Sequence, residues 1–266
     1  MPAFDEAVMP ARVSLLACDL DGTLVGDGGE PLPGVGEALQ AVAAARVPLA
    51  VCTGRPLYSA VSRAGALGVR PVFYACYHGA LVVDAAGVWQ RHLTVPPRTA
   101  DGIAADAVGA GLSVTVYDGD ERREIAPVEW DAAAGLAATH GVSRLVLTGR
   151  PSTVDAAVPG LAANWGRGLR IEVVARGIAD VADARADKGD ALRLIAHLLG
   201  VPLAEVVACG DAARDRTMLR AAGLAVVVGS AAGGTDWPLS DVGGVPLAPP
   251  AVGRWLHALA RRLTRT

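Results

Sequence analysis

Cysteine and histidine are scarce in this chain of 266 residues, at 4 and 5. Cys18, Cys52, Cys76 and Cys209 stand far apart, with no CxxC pair and no zinc-like spacing to a histidine. Each lies at or near the end of an apolar run, so they read as reduced core residues of a cytoplasmic protein. The scattered histidines argue against a histidine-rich metal site. Long hydrophobic runs are missing too: none reaches the ~20 residues needed to span a bilayer, so no membrane role is expected. The opening "MPAFDEAVMPAR" carries acids and has no apolar core of signal-peptide length, which speaks against export. Nor is there an excess of positive charge. A net charge of -3 gives no general attraction to nucleic acid or anionic lipid. Charged residues make up 19% and hydrophobic ones 52%, which favours a folded globular chain over a disordered one.

What is present is alternation. Apolar runs of strand length exchange with alanine-rich segments of helical length. "RVSLLAC" (Arg12–Cys18) reads as a first strand, and a helix is expected from about Gly34 to Arg46. "VPLAVC" ends at Cys52, a second helix runs from about Pro56 to Leu67, and "PVFYAC" (Pro71–Cys76) follows. This β-α-β-α-β order implies a parallel sheet with helices on its faces, where sites form at the carboxyl ends of strands. "ALVVDAAGVWQRHLTV" then reads as a hairpin turning at Ala85–Gly87. From about Pro96 to Ala175, helices alternate with "LSVTVYD", "RREIAP", "VSRLVLT" and "LRIEVVA", whose partial apolar/polar alternation suits a sheet wet on one face. After Asp187 the first pattern resumes, with "KGDALRLIAHLLG", "EVVAC", "LAVVVG" and a last amphipathic helix at about Val252–Leu263. The fold class expected is α/β: a doubly wound, parallel-sheet, Rossmann-like core of residues 1–84 and 176–266 around an α/β insert of residues 85–175.

The chemistry concentrates at the predicted strand ends. "LLACDLDGTLVGDG" places Asp19 and Asp21 two residues apart after a buried strand, a costly pair of like charges unless a cation or a proton lies between them. Thr53 and Gly54 follow the second strand, Lys188 opens the helix after the insert, and Asp211 and Asp215 follow "EVVACG". A hydroxyl, a lysine and two acidic pairs on one sheet edge match the needs of phosphoryl transfer. One carboxylate attacks phosphorus. Mg²⁺, which prefers oxygen ligands, neutralises the charge between carboxylates and phosphate. Lysine and hydroxyl hold the other phosphate oxygens.

"DLDGT", "TGR", a lysine before a helix and "GDxxxD", in this order and spacing, resemble the haloacid dehalogenase superfamily. The wide insert between "TGR" and the lysine is similar to its Cof-type branch, whose α/β cap sits between the second and third motifs and governs substrate choice. The resemblance implies that Asp19 is the nucleophile forming an aspartyl phosphate. Asp21 would be the general acid, then the base, with its backbone carbonyl on the metal. Thr53, Gly54 and Lys188 would bind the phosphoryl group. Asp19, Asp21 and Asp211 would hold Mg²⁺, with Asp215 supporting Lys188 or the metal shell and Arg55 reaching substrate or tethering the cap. An acid at position 21 favours phosphate esters over halides. The expected function is therefore a cytoplasmic, Mg²⁺-dependent phosphatase of a small phosphorylated metabolite, a sugar or amino-sugar phosphate first, acting as monomer or homodimer. A phosphomutase of the same superfamily, or a drifted non-catalytic binding protein, are the alternatives.

Plainer roles exist for the same residues. Thr53 or Asp211 could be helix N-caps, Lys188 a solvated helix residue, Arg55 a surface arginine, and Asp215 a partner of Arg216 or Arg220. Departures from the branch pattern are His78 in "YHGAL", where "NGA" is usual, Arg214, where an asparagine is usual, and Gly229-Ser230-Ala231 in place of "GNA". His78 reads as a hairpin-start residue. Arg214, a cation beside presumptive metal ligands, is expected to turn outward or pair with Asp215.

Overall fold

The computed structural model describes residues 10–26, 28–131, 134–229 and 242–264; Ser230 and Ala231 lie outside them. In chain order the elements are β1 (Leu15–Cys18), α1 (Val35–Ala44), β2 (Leu49–Cys52), α2 (Leu57–Ala66), β3 (Phe73–Cys76), and the hairpin β4 (Leu81–Asp84) and β5 (Trp89–His92). Next come α3 (Pro97–Gly109), β6 (Ser113–Asp118), β7 (Glu121–Ile125), β8 (Val142–Thr148), α4 (Pro151–Trp165), β9 (Leu169–Ala175) and β10 (Ile178–Asp183). The chain returns through α5 (Lys188–Leu199), β11 (Val206–Gly210), α6 (Arg216–Ala221), β12 (Leu224–Val228), β13 (Val245–Leu247) and α7 (Val252–Leu263). It divides into two compact units, residues 1–90 with 187–266, and residues 91–186.

The first unit carries the eight-stranded sheet β13-β12-β11-β1-β2-β3-β4-β5. It is parallel from β13 to β3 and turns antiparallel at β4. Every residue of β1, β2, β3, β11 and β12 is buried, which suits a parallel sheet covered on both faces. On one face Leu15, Ala17, Ala50 and Cys52 pack with Ala191, Leu192 and Ile195 of α5 and Met218 and Leu219 of α6. Helices α1 and α7 pack on one another. The connections out of β1 and β11 run to opposite sides, so strand order reverses at the β1–β11 boundary, where doubly wound sheets open a crevice.

The second unit holds the antiparallel sheet β7-β6-β8-β10-β9, with one face closed by α3 and α4. Its core is aliphatic: Val114, Val116, Leu145, Leu147, Ala179 and Val181 meet Ile103, Ala104, Val154 and Leu161. Two strands went unread in the sequence. β10 is short and alanine-rich, with Asp180 and Asp183 breaking its apolar run, and of its residues Ala179 and Val181 join that core; Arg176 and Gly177 (φ 76°) make its tight turn from β9. Residues 178–183 thus belong to the second unit's sheet, whereas the sequence reading closed the insert at 175. β13 is three residues long and contains Pro246, a length and composition below the pattern threshold.

Candidate active site

The strand ends bring the predicted residues together. β11, β1 and β2 are neighbours, with Cys18 opposite Cys209 and Val51, so the chain positions that follow each strand meet at one edge. The Asp19 N–H donates to the Cys209 carbonyl at 2.9 Å and anchors the first turn after β1. Lys188 is the first residue of α5, whose N-cap Asp187 accepts from the Asp190 N–H at 2.9 Å, an ordinary helix start that delivers the lysine to this edge.

Three titratable side chains interlock there. Lys188 Nζ donates to Asp19 Oδ1 at 2.7 Å and to Asp215 Oδ1 at 2.5 Å. Lys188 is 3% exposed, Asp19 5% and Asp215 0%, so this triad sits out of water. Asp215 Oδ2 accepts from the backbone N–H groups of Asp211 at 3.1 Å and Ala212 at 2.9 Å. Both oxygens of Asp215 are thereby engaged inside the site, which replaces the surface pairing with Arg216 or Arg220. Arg214 is partly buried on the 3₁₀ turn Ala213–Asp215. Asp211 Oδ1 accepts from Thr23 Oγ1 at 2.7 Å. Thr23, fully buried, is a site residue the sequence reading passed over, although the hydroxyl two positions after Asp21 in "DGT" was its signal. Gly22 makes the approach possible: it lies at φ 77°, and a Cβ there would stand 2.2 Å from Asp211 Oδ2.

The charges are unbalanced. Oxygens of Asp19, Asp211 and Asp215 lie within 4.8 Å of one another against one lysine. Burial pushes the Asp19 carboxyl up to about 8; Lys188 opposes the rise, and Asp215 and Asp211 add to it. Burial likewise lifts Asp211 to about 6, against the Thr23 hydrogen bond. Burial disfavours the Lys188 ammonium, but Asp19 and Asp215 outweigh it and hold the group above lysine's ordinary value. The second oxygen of Asp19 has no protein donor among the described residues. An all-carboxylate donor set, without imidazole or thiolate, fits a hard cation such as Mg²⁺.

Asp21 is turned to a different partner. Arg55 Nε donates to its Oδ2 at 2.7 Å and Nη2 to its Oδ1 at 2.6 Å. Thr53, fully buried, accepts the Arg55 N–H on Oγ1 at 3.2 Å, and its carbonyl accepts from the His78 N–H at 2.9 Å. A Cβ on Gly54 would stand 2.4 Å from the His78 ring, so His78 packs on the "TGR" loop. The structure therefore groups Asp19, Lys188, Asp211 and Asp215 directly, joins Asp21 to Arg55, and ties Thr53, Gly54 and His78 into the neighbouring turn.

A sequence profile of the haloacid dehalogenase-like hydrolases matches residues 16–126 and 136–234, which include every one of these positions. The chain belongs to that family. This hydrolase is 25% identical over 258 residues to the phosphatase YwpJ of Bacillus subtilis, covering 82% of its own length and 90% of the relative's. Its fold matches a solved haloacid dehalogenase-like hydrolase from Bacteroides thetaiotaomicron with a TM-score of 0.79 at 19% identity, over 96% of this chain and 99% of that one. The sugar phosphatase BT4131 shares the fold at a TM-score of 0.67 and 18% identity, over 95% and 98% of the two chains.

Proposed function

We propose that this hydrolase is a Mg²⁺-dependent phosphatase of a small phosphorylated metabolite, a sugar or amino-sugar phosphate first, working through an aspartyl phosphate. The observation that carries the reading is the buried Asp19–Lys188–Asp215 triad beside Asp211 at the end of β1. In this reading Asp19, through the oxygen that Lys188 leaves open, attacks phosphorus. The new O–P bond forms as the ester O–P bond breaks, and Asp21 gives its proton to the departing oxygen. Water then attacks phosphorus and passes a proton back to Asp21, releasing inorganic phosphate and restoring Asp19. Lys188, the Thr53 hydroxyl and the Gly54 backbone hold the remaining phosphoryl oxygens. Asp19, Asp211 and the Asp21 carbonyl would hold Mg²⁺, with Asp215 fixing Lys188 and the Asp211 loop from behind. Such a cation supplies charge neutralisation between the carboxylates and the phosphoryl group.

Residues 91–186 take the role of the substrate-selecting cap. Support for phosphatase chemistry comes from the relative YwpJ, and the sugar preference draws on the fold shared with BT4131. A cytoplasmic setting agrees with four buried cysteines, none of them in a disulfide among the described residues. Among the described residues no helix is long and apolar enough to cross a membrane. The deciding experiment incubates the purified protein and Mg²⁺ with a panel of sugar, amino-sugar and acid phosphates and assays free phosphate. Release from sugar phosphates is the expected result. A phosphate-free isomerisation would make the protein a phosphomutase, and inertness on every ester would leave the drifted, non-catalytic reading in its place.

A further inference from the structure

Asp21 and Arg55 stand 34 residues apart in the chain yet meet through both oxygens of one and two nitrogens of the other. The third guanidinium nitrogen, Nη1, donates to Ser59 Oγ at 3.0 Å in the first turn of α2. The backbone beneath is held as well: the Arg55 N–H reaches Thr53 Oγ1, and its carbonyl accepts from the Tyr77 N–H at 3.2 Å. Tyr77 and His78 adopt φ 50° and 56°, a left-handed conformation that costs a non-glycine residue on the order of 1–3 kcal/mol. The Asp21 side chain is 46% exposed and that of Arg55 29%, so the pair itself adds little stability, about 0–1 kcal/mol for exposed ion pairs. A strained turn, a buried hydroxyl and a serine are thus spent on the aim of one guanidinium. Aim is what an acid/base carboxyl needs, since misplacement by an ångström can cost about 100-fold in rate.

We propose that Arg55 is a positioning residue for Asp21, with Ser59 as its stop. This rests on the acid/base role of Asp21 given above. In the first half-reaction a proton leaves Asp21 for the ester oxygen as the P–O bond breaks and the Asp19–phosphorus bond forms. In the second, water bonds to phosphorus, the Asp19 bond breaks, and the water's proton returns to Asp21. A proton on one Asp21 oxygen takes that oxygen out of the fork. The other arm still holds the carboxyl, because Ser59 keeps the guanidinium plane from rotating.

The test compares kcat/KM for an aryl and an alkyl phosphate monoester, both chosen from those the wild-type enzyme turns over. This quantity covers the steps through phosphoryl transfer. A phenolate with electron-withdrawing groups leaves with little help, whereas an alkoxide needs the proton. Asp21→Asn sets the scale and should lose far more on the alkyl ester, in the range of about 10²–10⁴ for a general acid. Arg55→Ala should lower the alkyl value at least about tenfold more than the aryl value, Arg55→Lys should recover part of it, and Ser59→Ala should move the ratio the same way by less. Equal losses on both esters for Arg55→Ala, while Asp21→Asn discriminates, would overturn the positioning role. Equal losses for Asp21→Asn would instead overturn the acid role beneath it. If a thermal melt shows Arg55→Ala unfolded, Arg55→Lys and Ser59→Ala decide by the same ratio, and an unmoved ratio in both overturns the proposal.

Discussion

Lys188→Met tests the electrostatic frame of the site without requiring turnover. Methionine keeps an apolar stem of similar reach and deletes the ammonium. Since Lys188 Nζ bonds to an oxygen of Asp19 and an oxygen of Asp215, those oxygens are no more than about 5 Å apart, where two unit charges repel by about 3 kcal/mol at an effective dielectric constant of about 20. Removing one partner from a buried ion pair costs about 3–5 kcal/mol by itself. The variant should therefore lose about 3–5 kcal/mol of unfolding free energy at pH 8 in chelator, a large share of the ~5–15 kcal/mol typical of a domain. The loss must depend on pH. In the wild type burial already holds Asp19 up to about 8 and Asp211 to about 6, above the ordinary 3.8. The folded protein keeps protons that the unfolded chain has released, so these groups withdraw stability as pH rises from about 4 towards 8. Deleting Lys188 removes a contact that lowers both Asp19 and Asp211, so the added penalty sets in where those groups ionise in the wild type, from about 6 for Asp211 and about 8 for Asp19, and fades in acid. Urea unfolding at pH 5 and pH 8, in EDTA and then in excess Mg²⁺, measures it. Mg²⁺ should restore part of the loss at pH 8, because a second cation enters the carboxylate cluster. A loss at pH 8 below about 1 kcal/mol, the scale of an exposed pair, or one equally large at pH 5, would refute the argument.

Asp19→Asn should abolish turnover and leave the fold intact, with metal-free stability at pH 8 equal to or above that of the wild type, since a buried like charge beside Asp211 and Asp215 is gone; activity and thermal melts check both halves. Activity should vanish in EDTA, return with Mg²⁺ and return poorly with Ca²⁺, which takes more ligands at longer distances. Protons and cation compete for Asp211 and Asp19, so Mg²⁺ affinity, read by titration of turnover, should strengthen from pH 6 to pH 8. Arg214→Asn should keep the maximal rate within about tenfold, a barrier change of roughly 1.4 kcal/mol, and tighten Mg²⁺ modestly, because Asp215 already spends both oxygens on Lys188 and the Asp211–Ala212 backbone.

The strands that carry the site were legible because they are short, wholly apolar and followed at once by polar residues; β1, β2 and β11 each stand out this way. α7 was legible to the residue, its buried Val252, Trp255, Leu256 and Leu259 repeating at helical spacing. β10 was hidden because Asp180 and Asp183 interrupt a short, alanine-rich run whose strand character comes from its pairing with β8 and β9. What a one-dimensional pattern does not carry is the choice of partner. Asp215 had three cations within reach of its sequence neighbourhood and took Lys188, 27 residues away, because the turn after Gly210 is tight enough that a Cβ there would stand 2.6 Å from that of Asp215. Arg55 had substrate, cap and solvent open to it by sequence, and with its carbonyl tied to the Tyr77 N–H its guanidinium forks onto Asp21. Both choices were made by backbone geometry near the strand ends, where glycine and left-handed residues allow approaches that ordinary turns forbid. The residue types gathered at this sheet edge can thus be read from spacing, whereas their division into a set around Lys188 and a forked pair of Asp21 with Arg55 follows only from how those turns close.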